Sequence, residues 1–148
     1  MSEHVIRGFW AAMGTNDFAR AAERLHPNFE YYMPQSGEYL RGRDAFVAVN
    51  AEYPAQGSWH FTVRSVIADG ARVVSDVEVT DGAIRARAIT FHEVHDGLIL
   101  RQREYWPDDY PAPAWRAHLV KIVETPPFQP GASLQSARTV PMGCRRKQ

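Results

Sequence analysis

Three Asp-Gly pairs divide the middle of the 148-residue chain into stretches in which apolar and polar residues alternate. The pairs are Asp69-Gly70, Asp81-Gly82 and Asp96-Gly97, and the alternating stretches extend over residues 58–106. Alternation with a period of two is typical of β-strands. Asp-Gly is typical of two-residue hairpin turns, in which both central residues adopt a positive φ. The pattern therefore predicts a meander of four long antiparallel strands.

The rest of the chain has other periods. We predict three N-terminal helices, over residues 3–14, 18–25 and 41–53. A strand, Phe29–Met33, lies between the second and third helices, and a short helix, Ala114–Val123, follows the meander. Because three helices can cover one face of the meander, the predicted fold is α+β, with one domain over residues 1–124. Residues 125–148 contain four prolines and no usable hydrophobic period. This composition predicts a flexible tail.

Composition argues against several classes of function. Residues 125–148 hold four of the 17 basic residues and no acid, so the preceding 124 residues carry 13 basic and 17 acidic side chains, a net of −4. A mildly acidic body does not suit nucleic-acid binding. Scattered histidines, a single cysteine and the lack of a glycine-rich nucleotide motif predict no metal and no cofactor. We expect a cytoplasmic protein, because neither a signal peptide nor a membrane-length apolar run is apparent.

The last predicted strand carries the residue on which the functional hypothesis depends. One face of this strand presents Leu98, Leu100, Gln102, Glu104 and Trp106. A lone carboxylate on the inner face of a sheet indicates a pocket, because packing alone would favour an aliphatic residue there. We therefore predict that Glu104 is a general acid or base whose pKa is raised by apolar surroundings. The alternative is a structural carboxylate paired with Arg85 or Arg87 on the adjacent strand.

Asp76 and His92 are the other candidates for proton transfer. Strand alternation leaves open whether Asp76 faces the pocket or, in the opposite register, solvent or a dimer partner. His92 is either a proton shuttle near neutral pH or a solvated histidine near a hairpin end. The predicted ligand-binding residues are Trp10, Tyr31, Met33, Gln35, Trp59, Phe91 and Trp106. Most of them could equally fill the core, but as a pocket wall they would suit a flat, apolar, ring-containing ligand.

Several short segments occur in a characteristic order. They are Phe9-Trp10, Asn16-Asp17-Phe18, Leu25–Phe29, Leu40–Arg43, the three Asp-Gly pairs and Arg103–Trp106. Their order and spacing over about residues 4–124 resemble the nuclear transport factor 2-like (NTF2-like) superfamily and, within it, the bacterial SnoaL-like, polyketide-cyclase-like family. The resemblance implies a cone in which a curved antiparallel sheet wraps three helices around a small-molecule pocket. It also implies a homodimer formed through the outer sheet face.

The resemblance does not carry over every catalytic residue of related enzymes. Ketosteroid isomerases have a tyrosine and two aspartates where this chain has Phe9, Met33 and Ile89, so their chemistry is not expected. Limonene-epoxide hydrolases use an Arg-x-Asp pair and a further aspartate, of which only the last has a counterpart, Glu104. SnoaL-type cyclases remove an activated ring proton without a metal, so that an enolate attacks a carbonyl. A single carboxylate such as Glu104 could suffice for that step.

The sequence thus supports two hypotheses. In the first, the protein binds a small, largely apolar organic molecule and acts on it by metal-free acid/base chemistry of the cyclase or isomerase type. In the second, it is a non-catalytic ligand-binding or protein-interaction module. The hypotheses differ at Glu104: an enzyme needs this carboxylate open to the ligand and free of a fixed cation, whereas a binding module tolerates an ion pair there.

Overall fold

A computed structural model describes residues 1–128. The elements are helices α1 (Ser2–Met13), α2 (Phe18–Ala22) and α3 (Arg43–Glu52), and strands β1 (Leu25–Met33), β2 (Glu38–Arg41), β3 (His60–Asp69), β4 (Arg72–Thr80), β5 (Arg85–His95) and β6 (Leu98–Tyr105). All of them belong to one compact unit, Met1–Asp108. The predicted α+β class is confirmed.

The six strands form one curved sheet in the order β2-β1-β6-β5-β4-β3. Strands β3 to β6 pair in antiparallel fashion, as the Asp-Gly pairs predicted. Strand β1 pairs with β6 in parallel, so the sheet is mixed rather than wholly antiparallel. Strand β2, which pairs with β1, was not predicted. The β1–β6 pairing is long-range, and turn residues do not encode it. Strand β2, in contrast, follows β1 in a hairpin whose end pair, Met33 and Glu38, is joined by residues 34–37.

The three hairpin turns differ in backbone conformation. At Asp96-Gly97 both residues have positive φ, 51° and 75°, as predicted for a two-residue turn. At the other two pairs only the glycine does, with 60° at Gly70 and 97° at Gly82. The turn positions are therefore confirmed, but the predicted double positive φ occurs only at the last turn.

Helix α1 presents its apolar side chains to the inner face of the sheet. Its buried residues are Ile6, Phe9, Trp10, Ala12 and Met13. The helix contacts β3 to β6, while α3 contacts β1 and β2. Burying a phenylalanine such as Phe9 or Phe29, each at most 1% exposed, contributes roughly 1.5–3 kcal/mol. The prediction that the helices cover one face of the sheet is thus confirmed.

Two predicted helix boundaries need correction. Helix α2 ends at Ala22 instead of Leu25, because Leu25 is fully buried and pairs with Ile99 as the start of β1. The predicted helix over Ala114–Val123 is only a 3-10 turn, Ala114–Arg116. Its side chains Trp115 and Leu119 are exposed, and a short helix that buries no apolar face is marginal in water.

The segment that contains this turn belongs to a second unit, which begins at Asp109. The tail predicted over residues 125–148 lies almost wholly outside the described residues. No helix within residues 1–128 is long and apolar enough to cross a membrane.

Asp81 joins the segment between α3 and β3 to the β4–β5 turn. Its carboxylate accepts backbone N–H bonds from Gln56 at 3.0 Å, Ala83 at 2.9 Å and Ile84 at 2.8 Å. These bonds, led by the one from Gln56, lower the pKa of Asp81 to about 2. The ionised carboxylate therefore stabilises the folded state.

We expect Asp81→Asn to lower the free energy of unfolding at neutral pH. Because the pKa of Asp81 is depressed in the folded protein, its contribution is complete above the ordinary pKa of 3.8 and is lost as the pH falls toward about 2. Urea unfolding at a series of pH values should show the difference from wild type shrinking over that interval. Asp69→Asn, at the exposed β3–β4 turn, is the control. A difference that does not change with pH would contradict this account.

Candidate functional site

A cavity of about 90 Å³ is bounded by α1, α3 and the inner face of the sheet. Most of its wall is apolar or aromatic. Four of the seven predicted ligand-binding residues line it, namely Trp10, Tyr31, Met33 and Trp106. The predicted catalytic residue Glu104 lines it as well, together with the amides of Gln102 and Asn50. The structure therefore gathers an apolar wall and a few polar groups in one place, which is the usual composition of a ligand site.

Glu104 is 5% exposed and is held by two hydroxyl groups. The Tyr31 hydroxyl donates to Oε1, and the Thr90 hydroxyl donates to Oε2 at 2.5 Å. Burial raises the pKa of the Glu104 carboxyl, and the hydrogen bonds from Thr90, Tyr31 and the Trp106 side chain oppose that rise. Burial and the nearby Glu104 charge also raise the pKa of Tyr31 well above its usual value. Tyr31 therefore keeps its proton, and Glu104 is the member of the pair that titrates.

No cation neutralises Glu104 in the part of the chain that the structure describes. Arg87, one of the two arginines considered as a partner, instead binds Asp76 through two contacts of 2.5 and 3.1 Å. Its guanidinium also lies 3.7 Å from Glu78. The predicted alternative, a structural ion pair of Glu104 with Arg85 or Arg87, is therefore not formed within residues 1–128.

A β-bulge places Thr90 opposite Glu104. The Asp96-Gly97 turn sets Val94 opposite Ile99, but Glu93 pairs with Arg101, so the unpaired Leu100 of β6 shifts the pairing by one residue. Without this shift Thr90 would lie opposite Arg103, whose side chain is on the other face. Sequence reasoning missed Thr90 because the bulge leaves no trace in the alternation.

His92 is buried, with 2% exposure, instead of lying at a solvated hairpin end. Its Nε2 atom is 2.8 Å from Ser75 Oγ, and its Nδ1 atom is 3.0 Å from the side-chain amide of Gln102. Burial lowers the pKa of His92 to about 3. The ring is therefore neutral near neutral pH and does not take up the proton that the predicted shuttle requires.

Two other predicted residues lie on the outer face of the sheet. Asp76 points away from the cavity and forms the ion pair with Arg87. Phe91 is 38% exposed, and the Arg103 guanidinium lies 4.6 Å from its ring centroid. Neither is brought together with Glu104.

Trp59 and Gln35 contact the cavity wall from behind. The Trp59 ring packs edge-on against Tyr53, with 5.6 Å between the centroids. Gln35 Oε1 accepts the backbone N–H of Trp106 at 2.6 Å. Gln35 thus fixes the end of β6, whereas it was predicted to donate to a ligand.

The cavity wall also contains residues that sequence reasoning did not select. Phe9, Phe46, Asn50 and Tyr53 come from helices, or from the residue after one, whose rotation about the helix axis the sequence does not define. Gln102 could have been chosen, because it shares the inner face of β6 with Glu104. Among residues 1–128 no group of three metal-ligating side chains is placed to hold a metal ion.

A family model described as the SnoaL-like domain matches residues 6–102. The chain belongs to the SnoaL-like family. The predicted resemblance is thereby confirmed. No curated protein matches the chain.

Solved structures with a similar fold include three bacterial proteins. A candidate ketosteroid isomerase from Kribbella flavida is 32% identical, with a TM-score of 0.77, over 84% of this chain and 90% of that chain. A protein from Catenulispora acidiphila with a ketosteroid isomerase-like fold, in complex with trimethylamine, is 15% identical (TM-score 0.60, 68% and 83% covered). A candidate SnoaL-like polyketide cyclase from Shewanella denitrificans is 11% identical (TM-score 0.60, 72% and 90% covered). At such low identity the last two show the NTF2-like fold alone.

We expect Thr90→Val to raise the pKa of Glu104 further, because the substitution removes a hydroxyl that stabilises the ionised carboxylate. The measurement is a pH titration of the Glu104 side-chain carboxyl by carbon-13 NMR. Thr62→Val, at an exposed position of β3, is the control and should leave the titration unchanged. A Glu104 pKa at or below the ordinary value in the wild-type protein would show that the carboxylate is not desolvated.

Proposed function

We propose that this protein binds a small, largely apolar, ring-containing organic molecule in the cavity and moves a proton on it with Glu104. The reaction would be a metal-free isomerisation or cyclisation. The observation that carries the proposal is the state of Glu104, a buried cavity carboxylate with a raised pKa, two hydroxyl donors and no cationic partner among the described residues. An acid/base group needs such a tuned pKa and access to the ligand.

The step consists of one proton transfer and its consequence. Ionised Glu104 takes a proton from the carbon next to a carbonyl group, and the electron pair of the C–H bond forms the enolate, whose charge lies on oxygen. In an isomerisation, neutral Glu104 returns the proton to another carbon. In a cyclisation, the enolate carbon attacks a second carbonyl, and the resulting alkoxide receives the proton. The Tyr31 and Thr90 hydroxyls orient the carboxylate throughout.

The size of the cavity bears on the proposed ligand. Its volume of about 90 Å³ is below the roughly 150 Å³ that accommodates benzene in an engineered protein cavity. An open groove of about 830 Å³ between β2 and α3 shares Met33, Val49 and Tyr53 with the cavity wall. Tyr53 is 61% exposed, and methionine side chains adapt readily. A ring-containing ligand would therefore enter from this groove by displacing these side chains.

Proton abstraction can be tested before the natural substrate is known. A panel of cyclic ketones is incubated with the protein in D₂O, and deuterium incorporation at the carbon next to the carbonyl is followed by NMR. The wild-type protein should accelerate exchange of at least one ketone, and Glu104→Gln should lower the rate by roughly 100-fold or more. Glu78→Gln, on the outer face beside Arg64, is the matched control.

The same experiment distinguishes the second hypothesis. A ketone that binds saturably without any accelerated exchange would indicate a non-catalytic ligand-binding module. Equal exchange rates for wild type and Glu104→Gln would remove Glu104 from the proposed chemistry.

We also propose that two copies pair through the outer sheet face. A surface groove of about 660 Å³ crosses this face and is lined by the exposed apolar side chains of Tyr32, Phe91 and Ile67 together with charged side chains such as Glu93 and Arg101. Exposed aromatic side chains bordered by polar and charged ones are typical of protein interfaces. A homodimer would bury this groove and leave the ligand cavity on the opposite face unobstructed.

The dimer can be tested by light scattering coupled to gel filtration. We expect a mass of twice the 16.8 kDa chain for the wild-type protein and a monomer for Phe91→Asp. The control is Ile84→Asp, an exposed hydrophobic at the β4–β5 turn that does not line the groove. A wild-type monomer, or a Phe91→Asp dimer, would contradict the proposed interface.

A further inference from the structure

Four buried polar side chains form a hydrogen-bonded series that ends at the cavity. Trp10, Ser75, His92 and Gln102 are each at most 4% exposed. Trp10 Nε1 is 3.1 Å from Ser75 Oγ, which is 2.8 Å from His92 Nε2, and His92 Nδ1 is 3.0 Å from the Gln102 amide. The proton transfer proposed above uses none of these groups. Their role depends on which group donates and which accepts in each hydrogen bond.

The number of protons on each group determines which atom donates in every hydrogen bond of the series. The indole N–H of Trp10 can only donate, so Ser75 Oγ accepts that bond. Within residues 1–128, the only other partner of the Ser75 hydroxyl is His92 Nε2. The hydroxyl proton therefore points to Nε2, which must be the unprotonated nitrogen. Since the ring is neutral, its single proton lies on Nδ1 and is donated to Gln102.

This direction determines which end of the Gln102 amide faces the cavity. A donor on His92 Nδ1 requires the amide oxygen opposite it, so the Gln102 amide adopts the reverse of the orientation in which its Nε2 atom lies 3.0 Å from Nδ1. The two ends of a glutamine amide have the same shape, and only the hydrogen-bond network distinguishes them. The opposite arrangement would leave the buried Ser75 hydroxyl proton without an acceptor, which folded proteins avoid.

We infer that Gln102 directs its NH₂ group into the cavity and there binds a carbonyl oxygen or an oxyanion of the ligand. Trp10, Ser75 and His92 are positioning residues that fix the amide. Gln102 and Glu104 are two residues apart on the inner face of β6, so their Cα atoms are about 6.6 Å apart. The inner face of β6 thus presents a proton-transfer group, Glu104, next to a hydrogen-bond donor, Gln102, for the ligand oxygen that becomes charged.

The inference rests on the proposed function for its catalytic meaning. In that step negative charge develops on the carbonyl oxygen of the ligand, and a preorganised amide donor stabilises such charge. It also narrows the ligand class to molecules with an oxygen acceptor. An analogue without that oxygen would leave the buried NH₂ group unpaired, which is a strong basis for rejection.

The first test needs no ligand. Long-range proton–nitrogen NMR of the uniformly labelled wild-type protein reports which ring nitrogen of His92 carries the proton. We expect the Nδ1–H form. An Nε2–H ring would reverse the series, turn the Gln102 oxygen toward the cavity and overturn the inference.

The second test compares two probes of the same shape, cyclohexanone and methylenecyclohexane, in NMR titrations. In Gln102→Met, which keeps side-chain length, the Kd of cyclohexanone should rise about tenfold, and that of methylenecyclohexane should stay within about twofold. His92→Phe should show the same selective loss. Gln56→Met, in the loop before β3, is the control and should match wild type.

Two results of this titration would overturn the inference: equal loss of both probes, or no saturable binding of cyclohexanone by the wild-type protein. Because the tautomer is measured on the wild type, the inference can still be refuted if the variants fold poorly. The outcomes also separate it from the proposed function. If deuterium exchange is unchanged in Glu104→Gln, the proposed proton transfer is contradicted, but ketone recognition by Gln102 is not. If His92 carries its proton on Nε2, ketone recognition by Gln102 is contradicted, but proton transfer by Glu104 is not.

Discussion

The site depends on keeping one carboxylate, Glu104, in the protein interior. An ionised group buried without partners is strongly disfavoured, so the fold must supply hydrogen-bond donors that are not cations. Tyr31 comes from β1 and Thr90 from β5, on either side of β6. Tyr31 reaches Glu104 through the parallel pairing of β1 with β6, and Thr90 does so because Leu100 is an extra, unpaired residue that forms a bulge in β6.

This arrangement lowers stability at neutral pH. The pKa of Glu104 is raised in the folded protein, so the unfolded state releases the proton at a lower pH than the folded state does. The contribution of Glu104 to the free energy of unfolding is then complete below its ordinary pKa and is lost as the pH rises toward the raised value. Asp81 has the opposite sign, because backbone N–H groups lower its pKa. The two carboxylates thus differ in their donors: backbone N–H groups hold Asp81, whereas side-chain hydroxyl groups hold Glu104.

Local sequence pattern predicted most helices and strands of the Met1–Asp108 unit, although it missed β2, and it predicted little of what depends on strand register. Alternation and Asp-Gly turns were enough for β3 to β6, and alternation alone placed Glu104 on the inner face. Thr90 escaped because a bulge shifts its partner by one residue. Strand alternation left the direction of Asp76 open, and the structure pairs it with Arg87 on the outer face. His92 was predicted to be either a proton shuttle or a solvated residue near a hairpin end, but its face of β5 is the buried one.

The geometry of β6 also explains why Glu104 has no cationic partner within residues 1–128, although two of the three residues before it are arginines. The alternation that turns Gln102 and Glu104 inward turns Arg101 and Arg103 outward. Arg101 binds Glu30 and Glu93 at 3.5 and 3.0 Å, and Arg103 covers the Phe91 ring. A slip of one residue would bring the arginines to the inner face and reverse the sign of the electrostatics there. The ion pairs of Arg101 and the contact of Arg103 with Phe91 therefore help to keep cations away from Glu104, because they hold both arginines on the outer face of the sheet.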